Sequence, residues 1–432
     1  MNAKDRKCVL IFLLAVLTAG LIPARAGGPL WVTGPAATQP GKPYRWAQNP
    51  IPYKTDLGGL GNQSNSEATS LVSAAFQIWQ DVGTSNISFQ NSGHLSSDVT
   101  ANNVLTFYNA LSNCGDSSQP ANAIVYDLDG SLTEALGMDN NSVLGFAGSI
   151  CSDDVNGLYT RGWSVLNGRF IDGGANTASH QTVSLAEFRA TFIHEFGHLI
   201  GLDHSQINLD CLTGIICPAE DQAGVPTMFP VLLDVSQATL KTDDMAALSS
   251  IYPAASFELT TGRIQGRVFF SDGQTQAQGY NVVARLVGDP RRTAVSCVSG
   301  FLFTAGAGNP FLPDGLDTDL PLGSRDQSLI GYYDLPGLPP GDYTIEVEGL
   351  NDSGSHPFVG GSGVGPIGSD LGFQFKMPGA CDLQYLNYPS SPGDSCSAKS
   401  TVSVGAGVIV NTQTDVIILG TPPRYDAWED GP

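Results

Sequence analysis

One eleven-residue run constrains this chain more than any other feature: His194-Glu195-Phe196-Gly197-His198-Leu199-Ile200-Gly201-Leu202-Asp203-His204. His194 and His198 stand four residues apart, so on an α-helix they project from one face. Two imidazoles placed in that way can hold one Zn2+, each at about 2.0–2.1 Å. Glu195 reaches the adjoining coordination position. There a carboxylate can take the proton of a water attacking a peptide carbonyl and pass it to the leaving amine. Gly201 lies one turn past His198, and a residue free to adopt positive φ lets the helix stop and the chain bend. The bend returns His204 to the metal as a third ligand. Chance would produce five such matched positions only on the order of 10⁻⁴ times in a chain of this length, and the chain has only six histidines.

The run resembles the zinc signature of the metzincin clan of metalloendopeptidases. The clan's second mark is a methionine turn beneath the metal, and Pro226-Thr227-Met228-Phe229-Pro230 stands where that turn is expected. Two details look like the matrixin branch. Ser205 follows the third histidine, where astacins usually carry Glu and serralysins Pro. Pro230 completes an M-x-P turn, where those two families usually place Tyr two residues after the Met. Residues 240–252 resemble the closing helix of a matrixin domain, with Thr242 as its cap and Asp243 and Asp244 complementing the positive helix start.

The resemblance spans residues 45–253 and implies an α+β fold, a twisted mixed sheet with long helices and a Met turn. It implies a zinc endopeptidase acting on protein or peptide substrates. His194, His198 and His204 would be the ligands, Glu195 the general base, and Gly201, Met228 and Pro230 structural residues around the site. Arg45-Trp46 and Ile51-Pro52-Tyr53 look like the first strand, and Ile87-Ser88-Phe89 like a later one. Residues 66–82 read as the first long helix, with Leu71, Ala74, Ala75, Ile78 and Val82 as its apolar face. Residues 186–202 read as the active-site helix, with Leu185, Phe188, Phe192, Leu199 and Leu202 as core candidates.

The chain also departs from that family. No Cys occurs between residues 27 and 113, so the cysteine latency switch of vertebrate-type matrixins has no counterpart. His94 and His180 are isolated and read as surface or loop residues rather than as a structural zinc site. The acidic loops Asp127-Leu128-Asp129-Gly130 and Asp153-Asp154 carry carboxylates of the kind Ca2+ uses, with Asp127 and Asp129 as candidate ligands. A solvated acidic turn is the other reading of the same residues.

Residues 1–26 read as a secretory signal peptide: Lys4, Arg6 and Lys7, an apolar stretch from Cys8 to Ile22, then Ala24-Arg25-Ala26. Cleavage near Ala26 would deliver a secreted, extracellular protein with no stable membrane insertion. The formal charge is −21, and loss of four cations and one anion with that segment makes it −24. So acidic a surface repels nucleic acid and anionic membrane. Seven cysteines remain after Cys8, and an oxidising compartment favours their pairing. Proximity suggests Cys114 with Cys151, Cys211 with Cys217 and Cys381 with Cys396, leaving Cys297 over.

Residues 27–44, rich in Gly, Pro, Thr and Ala, read as a flexible lead-in. After residue 253 helical patterns give way to short β-rich runs between Gly, Pro and Asp turns, so residues 254–432 read as an all-β sandwich region. Its expected strands include 264–270, 280–287, 343–348, 408–410 and 416–419. Residues 331–344 look like the late hairpin of carboxypeptidase-regulatory-like, transthyretin-like sandwiches, a resemblance covering about 262–350, with Gly- and Pro-rich insertions at 304–325 and 353–379.

Two functions compete. One is an active endopeptidase whose cleft wall, residues 205–233, offers Ile215, Ile216, Val231 and Leu232 to an apolar pocket. The other is a secreted binding or adhesion protein on an inactive protease-like scaffold. Retention of Glu195 and all three histidines favours the enzyme.

Overall fold

In the computed structural model, residues 27–34, 36–208, 211, 219–277, 279–302, 326–349, 383–385, 399–412 and 416–417 are described. The expected signal peptide, Ile215, Ile216, Cys217, Cys381, Cys396 and both insertions, 304–325 and 353–379, lie outside them.

The first part is built on a six-stranded sheet: β1 Arg45–Trp46, β2 Ile51–Thr55, β3 Phe89–His94, β4 Asn122–Asp127, β5 Gly145–Asp153 and β6 Leu158–Asn167. The order is β1-β6-β4-β2-β3 with parallel pairing, and β5 runs antiparallel along β6. Burial on both faces explains why the inner strand β4 is wholly buried. β5 pairs with β6 alone among the described strands, so it forms an edge.

Two long helices pack on this sheet, and each starts at a Ser-x-x-Glu capping box. Ser64 and Glu67 cap the helix Asn65–Gln80, and Ser184 and Glu187 cap the active-site helix Leu185–Leu199. Phe76 of the first stacks on Phe196 of the second with centroids 3.9 Å apart, and Trp79 Nε1 donates to the Ile193 carbonyl at 2.8 Å. The expected apolar face of the first helix holds in part, with Val82 just past its end also buried. Ala68, Val72, Ala75, Phe76 and Trp79 are buried, Leu71 and Ile78 are half-buried, and Ala74 is exposed. Phe76 and Trp79 have more area to hide than Leu71 and Ile78, and they turn the helix toward themselves.

Other expectations also shift. Phe188, Phe192, Leu199 and Leu202 are in the core, but Leu185, the first helical residue, is exposed. The third strand starts at Phe89 rather than Ile87. Thr242 does not cap the closing helix Thr242–Ile251. Asp244 reaches back to the Lys241 amide at 2.7 Å, which makes Lys241 the cap residue.

The stretch 27–44, expected as a flexible lead-in, is anchored near both ends. Val32 and Tyr44 are fully buried, Leu30 donates to the Gly201 carbonyl at 2.7 Å, and Gly28 accepts from the Asp203 amide at 3.0 Å. Composition suggested a loop, but the Gly28 carbonyl and the Leu30 amide pair with the chain just past the helix Leu185–Leu199.

The second part forms two sheets from β7 Gly262–Phe269, β8 Tyr280–Leu286, β9 Ala294–Val298, β10 Tyr332–Leu338, β11 Gly341–Gly349, β12 Leu383–Tyr385, β13 Thr401–Val404, β14 Ile409–Asn411 and β15 Val416–Ile417. One runs β10-β7-β14 with β15 on β7, and the other β12-β11-β8-β9 with β13 on β11. Alternation places Tyr343, Ile345 and Val347 of β11 in a core shared with Ile264, Val268 and Tyr333. The chain is thus an α+β unit followed by a β region. Among the described residues no helix is long and apolar enough to cross a membrane.

Candidate metal centre

The active-site helix presents His194 and His198, and a turn brings His204 to meet them. The three Nε2 atoms lie 3.2 Å apart between His194 and His198, and 2.9 Å from each of these to His204. The Nδ1 atoms decide the chemistry. His194 Nδ1 faces the Thr227 carbonyl at 2.8 Å, and His198 Nδ1 faces the Leu202 carbonyl at 2.9 Å. A carbonyl oxygen only accepts, so both rings carry their hydrogen on Nδ1 and turn a bare Nε2 lone pair inward. No hydrogen bond can join two such lone pairs, whereas a cation between them can. Tetrahedral coordination at the usual Zn–N length would hold the nitrogens about 3.3 Å apart, close to the spacing seen. Among the described residues this is the one group of three His, Cys, Asp or Glu side chains placed to share a metal ion.

The turn is a Schellman motif. Gly201, at φ 97°, donates to the His198 carbonyl at 3.0 Å, and Leu202 donates to Gly197 at 2.9 Å. A Cβ at Gly201 would also press on the Tyr159 ring at 2.7 Å. Trp46 Nε1 donates to Leu199 O at 2.7 Å, and Tyr252 Oη donates to Ile200 O at 2.8 Å, so the orphan carbonyls of the helix end are satisfied.

Met228 is buried beneath this group against Gly197, where any Cβ would overlap its sulfur. Pro230 follows at the edge of the turn, half-buried. Asp244 shapes the turn by accepting from the Thr227 and Met228 amides, each at 2.9 Å. Glu195, next to His194 in the chain, is buried. Burial alone pushes its carboxyl up to about 8, and the same burial pulls His194 down to about 4. Gly145 of β5 leaves room beside Glu195: a Cβ there would stand 3.2 Å from Glu195 Cγ.

A sequence profile of the Peptidase M66 family matches residues 70–214, a stretch that contains the three histidines and Glu195. The match supports a metallopeptidase. A match of this kind points to protein or peptide substrates. A search of curated proteins gives no match.

The remaining candidates lie apart from the centre. Asp127 closes a turn: its carboxylate accepts from the Gly130, Leu132 and Thr133 amides and from the Thr133 hydroxyl. Asp129 accepts from the Ser131 amide. Among the described residues Asp127 and Asp129 belong to no group of three side chains placed to share a metal ion. His94 faces Thr55 Oγ1 at 3.0 Å, and His180 faces Asp172 at 3.1 Å. Cys114 and Cys151 form the expected disulfide, and Cys297 is free and buried. Cys211 is disulfide-bonded. Sequence reasoning missed Asp244, Gly197 and Gly145 in these roles. Only Gly197 left a trace there, as a glycine inside a helix, which is costly without a packing reason.

Proposed function

We propose that this chain is a secreted zinc endopeptidase of the metzincin, matrixin-like kind. The observation that carries it is the convergence of three imidazole Nε2 atoms, two with their hydrogens committed elsewhere, beside a buried glutamate. Three imidazoles match the protein donor set of catalytic zinc. A bound zinc ion supplies Lewis acidity toward the attacking water and the scissile carbonyl. Glu195 takes the proton of that water and delivers it to the departing amine nitrogen. Thr227 O and Leu202 O hold two of the rings in the tautomer that this needs. The open edge of β5, next to Glu195, suits an extended peptide that adds as a further strand.

Export after cleavage near Ala26 is consistent with the disulfide between Cys114 and Cys151. The test compares residues 27–432 with their Glu195→Ala variant for bound zinc and for cleavage of denatured casein. We expect one zinc ion in each and chelator-sensitive cleavage by the parent, with at least about a hundredfold loss in the variant. A parent that holds zinc and cleaves nothing would favour a binding protein on an inactive scaffold.

A further inference from the structure

His194 and His198 are fixed by a hydrogen-bonded helix, but His204 sits on irregular chain beyond its end. The four residues after His204 are each tied to the β region or to the helix packed on it. Ser205 Oγ donates to Asp243 at 2.6 Å, and Asp243 also accepts the Ser296 amide of β9 at 2.7 Å. Gln206 Nε2 donates to Glu348 of β11 at 3.0 Å. Ile207 packs with Val283 and Ala294 of β8 and β9. Asn208, at φ 62°, accepts from Arg285 Nη1 and donates to the Arg291 carbonyl, both at 3.0 Å. Arg285 is held in turn by Glu346 at 2.8 Å, in a buried pair. From the same hairpin, Arg291 Nε pairs with Asp221 Oδ2 at 3.4 Å, on the chain that leads into the Met turn.

We propose that the β8–β9 hairpin is a brace that positions His204, so that the metal centre is complete only when the β region is docked. The proposal rests on the metallopeptidase reading above. A passive neighbour would need only to cover apolar surface. These links are instead directional, partly buried hydrogen bonds on neighbouring residues, and such networks hold one geometry and lose much when a member is removed. Asn208 is the centre of the link, because its side chain bonds two hairpin residues while its backbone takes a left-handed turn.

The test uses residues 27–432 and the variants Asn208→Gly, which keeps that backbone open, and Asn208→Asp, which keeps the acceptor facing Arg285. Zinc dissociation constants are read by chelator competition, alongside kcat, KM and Tm. Asn208→Gly should weaken zinc about tenfold and lower kcat, as loss of support behind a ligand does, and Asn208→Asp should recover most of both. If Asn208→Gly folds poorly, Gln206→Ala reports on the same face, with zinc weakened in the same direction. Zinc affinity equal to the parent's in a folded variant, with only Tm lowered, would overturn the brace and leave the peptidase intact. A parent that takes up no zinc would overturn both.

Discussion

Glu195 pays for its position in the metal-free protein. Burial moves its carboxyl from the ordinary 4.5 to about 8. Between those values the folded state carries a proton that the unfolded chain has lost, so stability falls as pH rises through the window. A cation among the histidines would oppose this, because positive charge favours the carboxylate. Glu195→Gln keeps the shape and removes the titration. We expect the metal-free variant to match the parent near pH 4.5 and to exceed it in Tm by a margin that grows toward pH 8. His194 titrates in both proteins, so their difference isolates Glu195. Parallel Tm curves across this range would show that the carboxyl is not buried as described.

At the scale of elements, the helix and the Met turn meet at one residue without a side chain. Gly197→Ala would push a methyl into Met228 Sδ, with the Trp79 ring 3.1 Å away on the same side. Overpacking of this kind costs about 1–3 kcal/mol, and displacement of the turn would also move Thr227 O away from His194 Nδ1. We expect lower stability in urea together with weaker zinc binding. A variant that lost stability but held zinc as tightly would separate the turn from the centre. The meeting of His194, His198 and His204 was legible in the sequence because helix periodicity and one turn bring local residues together. Asp244 was not legible in its role, because its bonds to Thr227 and Met228 join elements that a linear pattern does not connect. Asn208 meets Arg285 across 77 positions, which no local pattern records. The first helix was placed correctly but its buried face was only partly read, since counting aliphatic residues gave no extra weight to Phe76 and Trp79.

For the whole molecule, the change of texture after residue 253 marks a change of architecture but not a break in cooperation. Ala246 of the closing helix belongs to the β core, and Gly337 of β10 lies so close to it that a Cβ there would stand 2.7 Å from the Ala246 methyl. Asp243 of the same helix bonds both Ser205 and Ser296. Two parts that share a helix and a row of hydrogen bonds should unfold together. Trp31, Trp46, Trp79 and Trp163 precede residue 253, and Trp428 is the fifth tryptophan. In a Trp428→Phe background, fluorescence therefore reports the first part, while calorimetry reports both. We expect one calorimetric transition coincident with the fluorescence change, with calorimetric and van't Hoff enthalpies equal. Asn208→Gly should broaden or split that transition by loosening the joint. Two resolved transitions in the parent would mean that the β region folds on its own and only rests against the first part. The hairpin could not then hold His204 against thermal motion of the loop that carries it.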